Sequence, residues 1–194
     1  MSRKNSSQSP PPPAILTVGH GTRSLEEFLH ILEAQGIRQV VDIRTIPRSR
    51  HNPQFNKETL PTALAACGVG YEHTASLGGL RHPKPGSPNG AWRNASFRGF
   101  ADYMQTPEFS AALDHLEEEA KKSRLVLLCA ETVPWRCHRS LIADALLARG
   151  VPVGDLLDAT HLQTHRLTPW ARIDGRQVTY PSAAEAIEPG SAPA

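Results

Sequence analysis

Long apolar runs are missing from this 194-residue chain. No stretch of about 18 apolar residues occurs, which excludes a membrane-spanning helix. Cysteine is scarce as well. Three cysteines do not make a disulfide scaffold, and an odd number leaves at least one free thiol, so a reducing, cytoplasmic setting is expected. Met1 to Pro13 (MSRKNSSQSPPPP) has basic residues with no apolar segment behind them, and so does not read as a secretory signal. The glycine patterns of common phosphate loops are absent: neither GxGxxG nor GxxxxGKS/T occurs, so dinucleotide and Walker-type sites find no support. A strong charge of either sign is lacking too. The net charge of +2 neither requires nor excludes a nucleic-acid partner.

What is present describes a globular protein. Hydrophobic residues make up 39% and charged residues 21%, enough for a core and too little charge for wholesale disorder. Prolines gather in the first 13 residues, around 81–88 and after 169, marking loops and tails. Residues 1–13 are expected to be a disordered Pro-rich arm, 14–181 one folded domain, and 182–194 a disordered tail.

Inside the domain, short apolar runs alternate with amphipathic segments. Ile15–Val18 reads as a buried strand, followed by a helix that the box Ser24/Glu27 caps and Gly36 ends. Gln39–Arg44 is a second strand. A helix capped by Asn56 carries Leu60, Leu64 and Cys67, and 69–74 is a third strand. Residues 75–96 form a long loop, with helices over 97–104 and from Thr106 onward. Arg124–Ala130 (RLVLLCA) is the clearest strand; a helix over 140–149 and a strand over 153–157 follow. The pattern predicts an α/β fold: one Rossmann-like domain with about five mostly parallel strands and helices on both faces. Strands one and two, joined by one helix, are free to lie side by side. Asp174-Gly175 predicts a C-terminal hairpin.

Ligands of open parallel sheets bind beyond the carboxyl ends of the strands. Three polar clusters fall there. The first strand delivers His20 and Arg23, the second Asp42, Arg44 and Arg48, and the fourth Cys129, Glu131, Arg136, Cys137, His138 and Arg139. Asp42, behind two valines, suits acid/base work, or else is a buried partner of Arg44. Cys129 stands between a buried strand and a helix, where sulfur nucleophiles of the phosphatase and rhodanese kinds are found. Yet Arg136 lies seven positions on, not six, and the loop has no glycine. Cys129, Cys137 and His138 can equally ligate a metal given a fourth donor, pair as a reversible disulfide, or simply pack. Helix proximity favours Cys137 as the more reactive thiol, and burial is expected to silence Cys129. The loops around 43–57 and 75–101 carry Arg and Lys with no acidic residue, interleaved with Phe55, Trp92, Phe97 and Phe100, a composition that suits nucleotides or single strands.

The stretches VGHGTRSLEEFLHIL, VVDIRTIPRSRHNPQFNKETL, YEHTASLGGLR, FRGFADYM and LLCAETVPWRCHRSLIADAL together resemble the DUF488 family of bacteria and archaea. The resemblance spans most of 15–150 and implies a Rossmann-type fold without fixing an activity. Its family-like positions are His20, Arg23, Asp42, Arg44, Pro47, Arg48, Asn52, Phe55, Cys129, Glu131, Cys137, His138 and Arg139. Relatives often read GHST where this chain has Gly19-His-Gly-Thr22.

The expected function is therefore an enzyme with a phosphate-bearing or nucleotide-like substrate, small or within nucleic acid. Asp42, Glu131, His20 and His138 are its acid/base groups. Arg23, Arg44, Arg48, Asn52, Phe55 and Arg139 bind the substrate, and Cys129 and Cys137 are the candidate nucleophile or redox pair. The alternatives are a non-enzymatic nucleic-acid-binding module and a thiol or metal protein. No cofactor or metal is required by the sequence, and no membrane association is expected.

Overall fold

The structure is a computed structural model and describes residue 13 and residues 15–183. The expected arm and tail therefore lie outside the described residues, except Pro13, Ser182 and Ala183.

Five strands run parallel: β1 (Ile15–Gly19), β2 (Gln39–Asp42), β3 (Gly70–His73), β4 (Leu125–Cys129) and β5 (Val153–Leu156). A sixth, β6 (Leu162–Thr164), joins β5 antiparallel, giving the order β3-β2-β4-β1-β5-β6. β6 is short and mostly exposed, so no apolar period marks it in the sequence. The hairpin is formed by β7 (Arg172–Asp174) and β8 (Gln177–Thr179), with Gly175 at φ +58° in its turn.

β1 and β2 are parallel but not neighbours, because β4 lies between them. β4 is the most continuously apolar segment and is buried along its whole length, as a strand covered on both faces must be. Its side chains alternate. Val126 and Leu128 pack with Leu16, Val18, Val40 and Phe28 under α1 (Leu25–Ala34) and α2 (Leu60–Ala66). Leu125 and Leu127 face the opposite core, with Phe100, Leu116 and Leu141 from α3 (Ala95–Tyr103), α4 (Pro107–Lys122) and α5 (Arg139–Ala148).

Local chemistry sets the ends. The box on α1 is complete: Ser24 Oγ accepts from Glu27 N–H at 3.1 Å, and Ser24 N–H donates to Glu27 Oε2 at 2.7 Å. Such a cap contributes about 1 kcal/mol. The N-cap position of α2 is Thr59, whose side chain makes no cap bond, and not Asn56, whose Oδ1 instead accepts from Ser49 N–H at 2.7 Å. β2 stops at Asp42, two residues early, because the Asp42 carboxylate takes the Arg44 N–H at 3.1 Å and turns the chain out of the sheet.

The connection after β1 leads over β4 to β2, and the one after β4 leads over β1 to β5. These crossovers leave in opposite directions and on opposite faces, so the carboxyl ends of β1 and β4 form the switch point where open sheets bind ligands. The two loops meet closely there. His20 N–H donates to the Cys129 carbonyl at 3.0 Å, and Gly21 N–H to that of Ala130 at 2.9 Å. A Cβ at Gly19 would stand 1.8 Å from the Glu131 carbonyl oxygen, so only glycine fits. Among the described residues no helix is long and apolar enough to cross a membrane.

Candidate active site at the carboxyl ends of β1 and β4

Two depressions adjoin at this edge. One, of about 390 Å³, is lined by Leu80, Phe97, Cys129, Arg136, Cys137 and His138. The other, of about 530 Å³, is lined by His20, Arg48, Asn52 and Thr132. Arg44, Ile46, Ala130 and Glu131 belong to both, so the two form one cleft. A larger groove, about 880 Å³, runs along α1 past Cys67, away from these strand ends.

Cys129 ends β4 and Cys137 follows the short 3-10 turn Pro134–Arg136. Both are buried, and their sulfurs lie with Nδ1 of His138 within 4.8 Å of one another. The Nε2 of His138 is 3.0 Å from the carbonyl oxygen of Leu77. A carbonyl only accepts, so Nε2 carries a proton and donates it to Leu77, which leaves Nδ1 facing the sulfurs, 3.7 Å from Cys137 Sγ. The neighbouring Cys137 thiol holds the Cys129 thiol well below its ordinary range against the opposing effect of burial, with further help from His138 and the Glu131 N–H. Cys137 is pushed up by the neighbouring Cys129 and by burial. The order is the reverse of the one the sequence suggests. The helix terminus beside Cys137 is outweighed by the closeness of the two sulfurs, which no spacing reveals.

The remaining sequence-predicted residues divide by what holds them. Asp42 is fully buried; its Oδ2 is 2.5 Å from Arg44 Nη2 and accepts the Tyr71 hydroxyl at 2.8 Å, and its Oδ1 accepts Arg44 Nε at 2.8 Å. Burial and this carboxylate together raise the Tyr71 pKa. Arg44 also donates from Nη2 to the Phe55 carbonyl at 2.7 Å, and its Nη1 is 3.2 Å from His20 Nε2. His20 stacks on the buried Phe55 ring at 4.3 Å and turns Nδ1 to the Gly21 carbonyl at 2.9 Å. Burial lowers its pKa, so the ring is neutral and both nitrogens are engaged. Arg23 donates to the carbonyls of Gly19 and Leu157. Arg139 donates to those of Glu131 and Thr132. Neither lines the cleft. These guanidinium groups fasten the loops.

Glu131, Arg48, Asn52 and Arg136 are what the cleft presents to solvent. Glu131 is exposed, and its Oε1 accepts the Val133 N–H at 3.1 Å. Arg48 and Arg136 are exposed, and their side chains have no hydrogen-bond partner among the described residues. At Gly21, φ is +54° and a Cβ would meet Thr132 Oγ1 at 2.2 Å, so a serine here would need a left-handed backbone and a turned-away Thr132 side chain.

Several contributors escape the sequence reading. Tyr71, Leu77 and Gly79 act through single contacts: Tyr71 on Asp42, Leu77 on His138, and Gly79 by letting the His138 ring in, since a Cβ there would stand 2.5 Å from Nδ1. Their partners are 29, 61 and 59 positions away, and no local pattern links them.

No curated protein and no solved structure matches the chain significantly. Residues 24–146, which include α1, the Asp42–Arg44 pair, the cysteine loop and most of α5, match the family described as "Domain of unknown function DUF488", and the chain belongs to that family.

Proposed function

We propose that the protein is an enzyme whose reacting group is the Cys129 thiolate, and whose substrate carries a phosphate or like anion, nucleotide-like in size, held by Arg136 and Arg48. One observation carries the reading. Arg139 is fully buried, its guanidinium meets only backbone carbonyls, its Nε has no partner, and it forms no ion pair with a carboxylate among the described residues. A buried cation without a counter-charge costs several kcal/mol. The adjoining cysteine pair can supply that charge as a thiolate, with Arg139 acting directly on Cys137 and through it on the pair, and the cleft opens on both sulfurs. His138 is placed to hold the proton of a leaving group, and Glu131 to exchange protons with solvent. A reducing compartment such as the cytosol keeps both thiols available.

Timed alkylation with iodoacetamide and mass-spectrometric assignment tests this. Near pH 6, Cys129 should be labelled faster than the exposed Cys67, and Cys129→Ser should abolish any turnover found in a substrate screen while leaving anion binding intact. Labelling of Cys67 ahead of Cys129 at every pH would refute the nucleophile.

A second reading is favoured by the rim. Ile46, Leu80 and Trp135 are 67%, 69% and 68% exposed, and Trp135 adjoins Arg136 in sequence. Exposed aromatic and guanidinium groups together suit single-stranded nucleic acid. That reading predicts binding that weakens steeply with salt and is indifferent to Cys129→Ser.

A further inference from the structure

We infer that Cys137 is the resolving thiol of a two-electron reduction begun at Cys129, so that each turnover leaves a Cys129–Cys137 disulfide. The inference rests on the reading of Cys129 as nucleophile and adds the reaction class and the second sulfur.

The geometry favours reduction over group transfer. Phosphoryl transfer from a loop needs a ring of inward N–H groups. Here Pro134 has no N–H, and the carbonyls of Glu131 and Thr132 are turned to the Arg139 guanidinium. A second buried thiol against the nucleophile adds nothing to such a transfer. It is what a dithiol needs. The backbones of both cysteines are fixed. Cys129 is in register with Gly19 in the sheet, and its carbonyl accepts the His20 N–H. Cys137 N–H donates to the Pro134 carbonyl at 3.0 Å, and its own carbonyl accepts the Ser140 hydroxyl at 2.9 Å. Their sulfurs are already within 4.8 Å of each other, both line the cleft, and rotation about the side-chain bonds is the movement that remains toward the bond of about 2.05 Å. Cys67, the third thiol, is exposed on the α1 groove and outside this cluster.

With a hydroperoxide as the oxidant class, the step balances. The Cys129 thiolate attacks the terminal oxygen; an S–O bond forms and the O–O bond breaks. The departing alkoxide takes a proton by way of His138 and leaves as alcohol. Cys137, deprotonated through the same ring, attacks the sulfenic sulfur, and hydroxide leaves as water. Two thiols and one hydroperoxide give one disulfide, one alcohol and one water, and an external dithiol returns the enzyme to its reduced form.

The full-length protein, reduced and desalted without oxygen, is treated with a single equivalent of cumene hydroperoxide, denatured in iodoacetamide and digested. The expected product is one linked peptide pair joining Cys129 and Cys137, two hydrogens lighter than the reduced pair, with Cys67 alkylated; dithiothreitol should reverse it. In Cys137→Ser, Cys129 should instead be trapped by dimedone as the sulfenic acid. A dimedone adduct on Cys129 in the unaltered protein, with Cys137 still free, would overturn the resolving role and leave the nucleophile standing. Failure of Cys129 to oxidise or alkylate ahead of Cys67 would overturn both. Stoichiometric zinc in the purified protein, holding both sulfurs against the hydroperoxide, would overturn the disulfide step.

Discussion

The carbonyl oxygen of Leu77 faces Nε2 of His138 at 3.0 Å, and this contact decides which nitrogen of the ring serves the cysteines. It fixes the proton on Nε2 and leaves Nδ1 toward Cys129 and Cys137. The ring is held from its other side by Gly79, where a Cβ would lie 2.5 Å from Nδ1.

Gly79→Ala should therefore displace the ring and remove one of the groups that stabilise the Cys129 thiolate. The Cys129 pKa rises, and the midpoint of its alkylation rate against pH moves up. Each unit of rise lowers the thiolate population about tenfold at a pH below both values. A profile that superimposes on the unaltered protein's would show that His138 has no part in the thiolate.

Away from the cleft, His165 is buried between two carboxylates. Its Nδ1 is 2.8 Å from Asp155 Oδ2 and its Nε2 3.0 Å from Asp144 Oδ1. Asp155 also accepts from Thr17 at 2.7 Å, and Asp144 from the Tyr180 hydroxyl at 2.9 Å and the Thr168 N–H at 3.0 Å. The network ties β1, α5, β5 and the end of the C-terminal hairpin together. Burial alone would neutralise the ring, but the two carboxylates outweigh it and raise its pKa to about 9. The folded value lies above the unfolded one of about 6.5, so the stabilisation is fully present below that pH and is lost as pH climbs through about 9. Urea midpoints should fall between about pH 7 and 9.5, and His165→Ala should flatten the curve in that window. Leaving two buried carboxylates unpaired should cost about 3–5 kcal/mol.

Asp42 is predicted to matter for stability and not for thiol chemistry. Its carboxylate neutralises the buried Arg44 guanidinium and accepts the Tyr71 hydroxyl. Asp42→Asn keeps the shape and removes the charge, leaving Arg44 without its partner at a cost of about 3 kcal/mol. For a domain of this size the melting temperature should drop by roughly 6–12 °C. The alkylation rate of Cys129 at temperatures where the variant is folded should stay within twofold or so. A stable variant in which Cys129 loses its reactivity would return Asp42 to the acid/base role that its strand-end position suggests.

The contrast between these residues explains how far the sequence could be read. Strands such as RLVLLCA and caps such as Ser24/Glu27 are local: a period or a spacing of three encodes them, and they appear where expected. The gathering of His20, Asp42 and Cys129 at one edge follows from parallel strands alone. The neighbour relation was not legible, because which strand takes the centre depends on burial summed over the whole sheet. The division of arginines was not legible either. Arg23, Arg44 and Arg139 occur among the same residue types as Arg48 and Arg136, yet the first three end on carbonyls or on Asp42 and the others end in solvent. That difference lies in side-chain partners up to 134 positions apart, such as Arg23 and Leu157.

Arg136 provides the sharpest test of the anion site. It sits in the 3-10 turn between the two cysteines, lines the smaller part of the cleft, and has no internal acceptor among the described residues. Its charge is therefore available to a ligand, and its removal leaves nothing buried unpaired. Arg136→Ala should change stability by no more than about 0.5 kcal/mol, the usual range for a surface site. A charge-assisted hydrogen bond contributes about 1.5–3 kcal/mol, so affinity for a phosphate-bearing ligand should fall at least tenfold, measured by dye displacement with mononucleotides at low salt. Arg139→Ala should do the opposite. The carbonyls of Glu131 and Thr132 lose their donor, the cysteine loop loosens, and stability falls before any binding can be measured. Binding unchanged in Arg136→Ala, and again in the double variant with Arg48→Ala, would mean that no anion is held at this edge of the sheet, and that the two guanidinium groups serve only as solvated charge around the thiol.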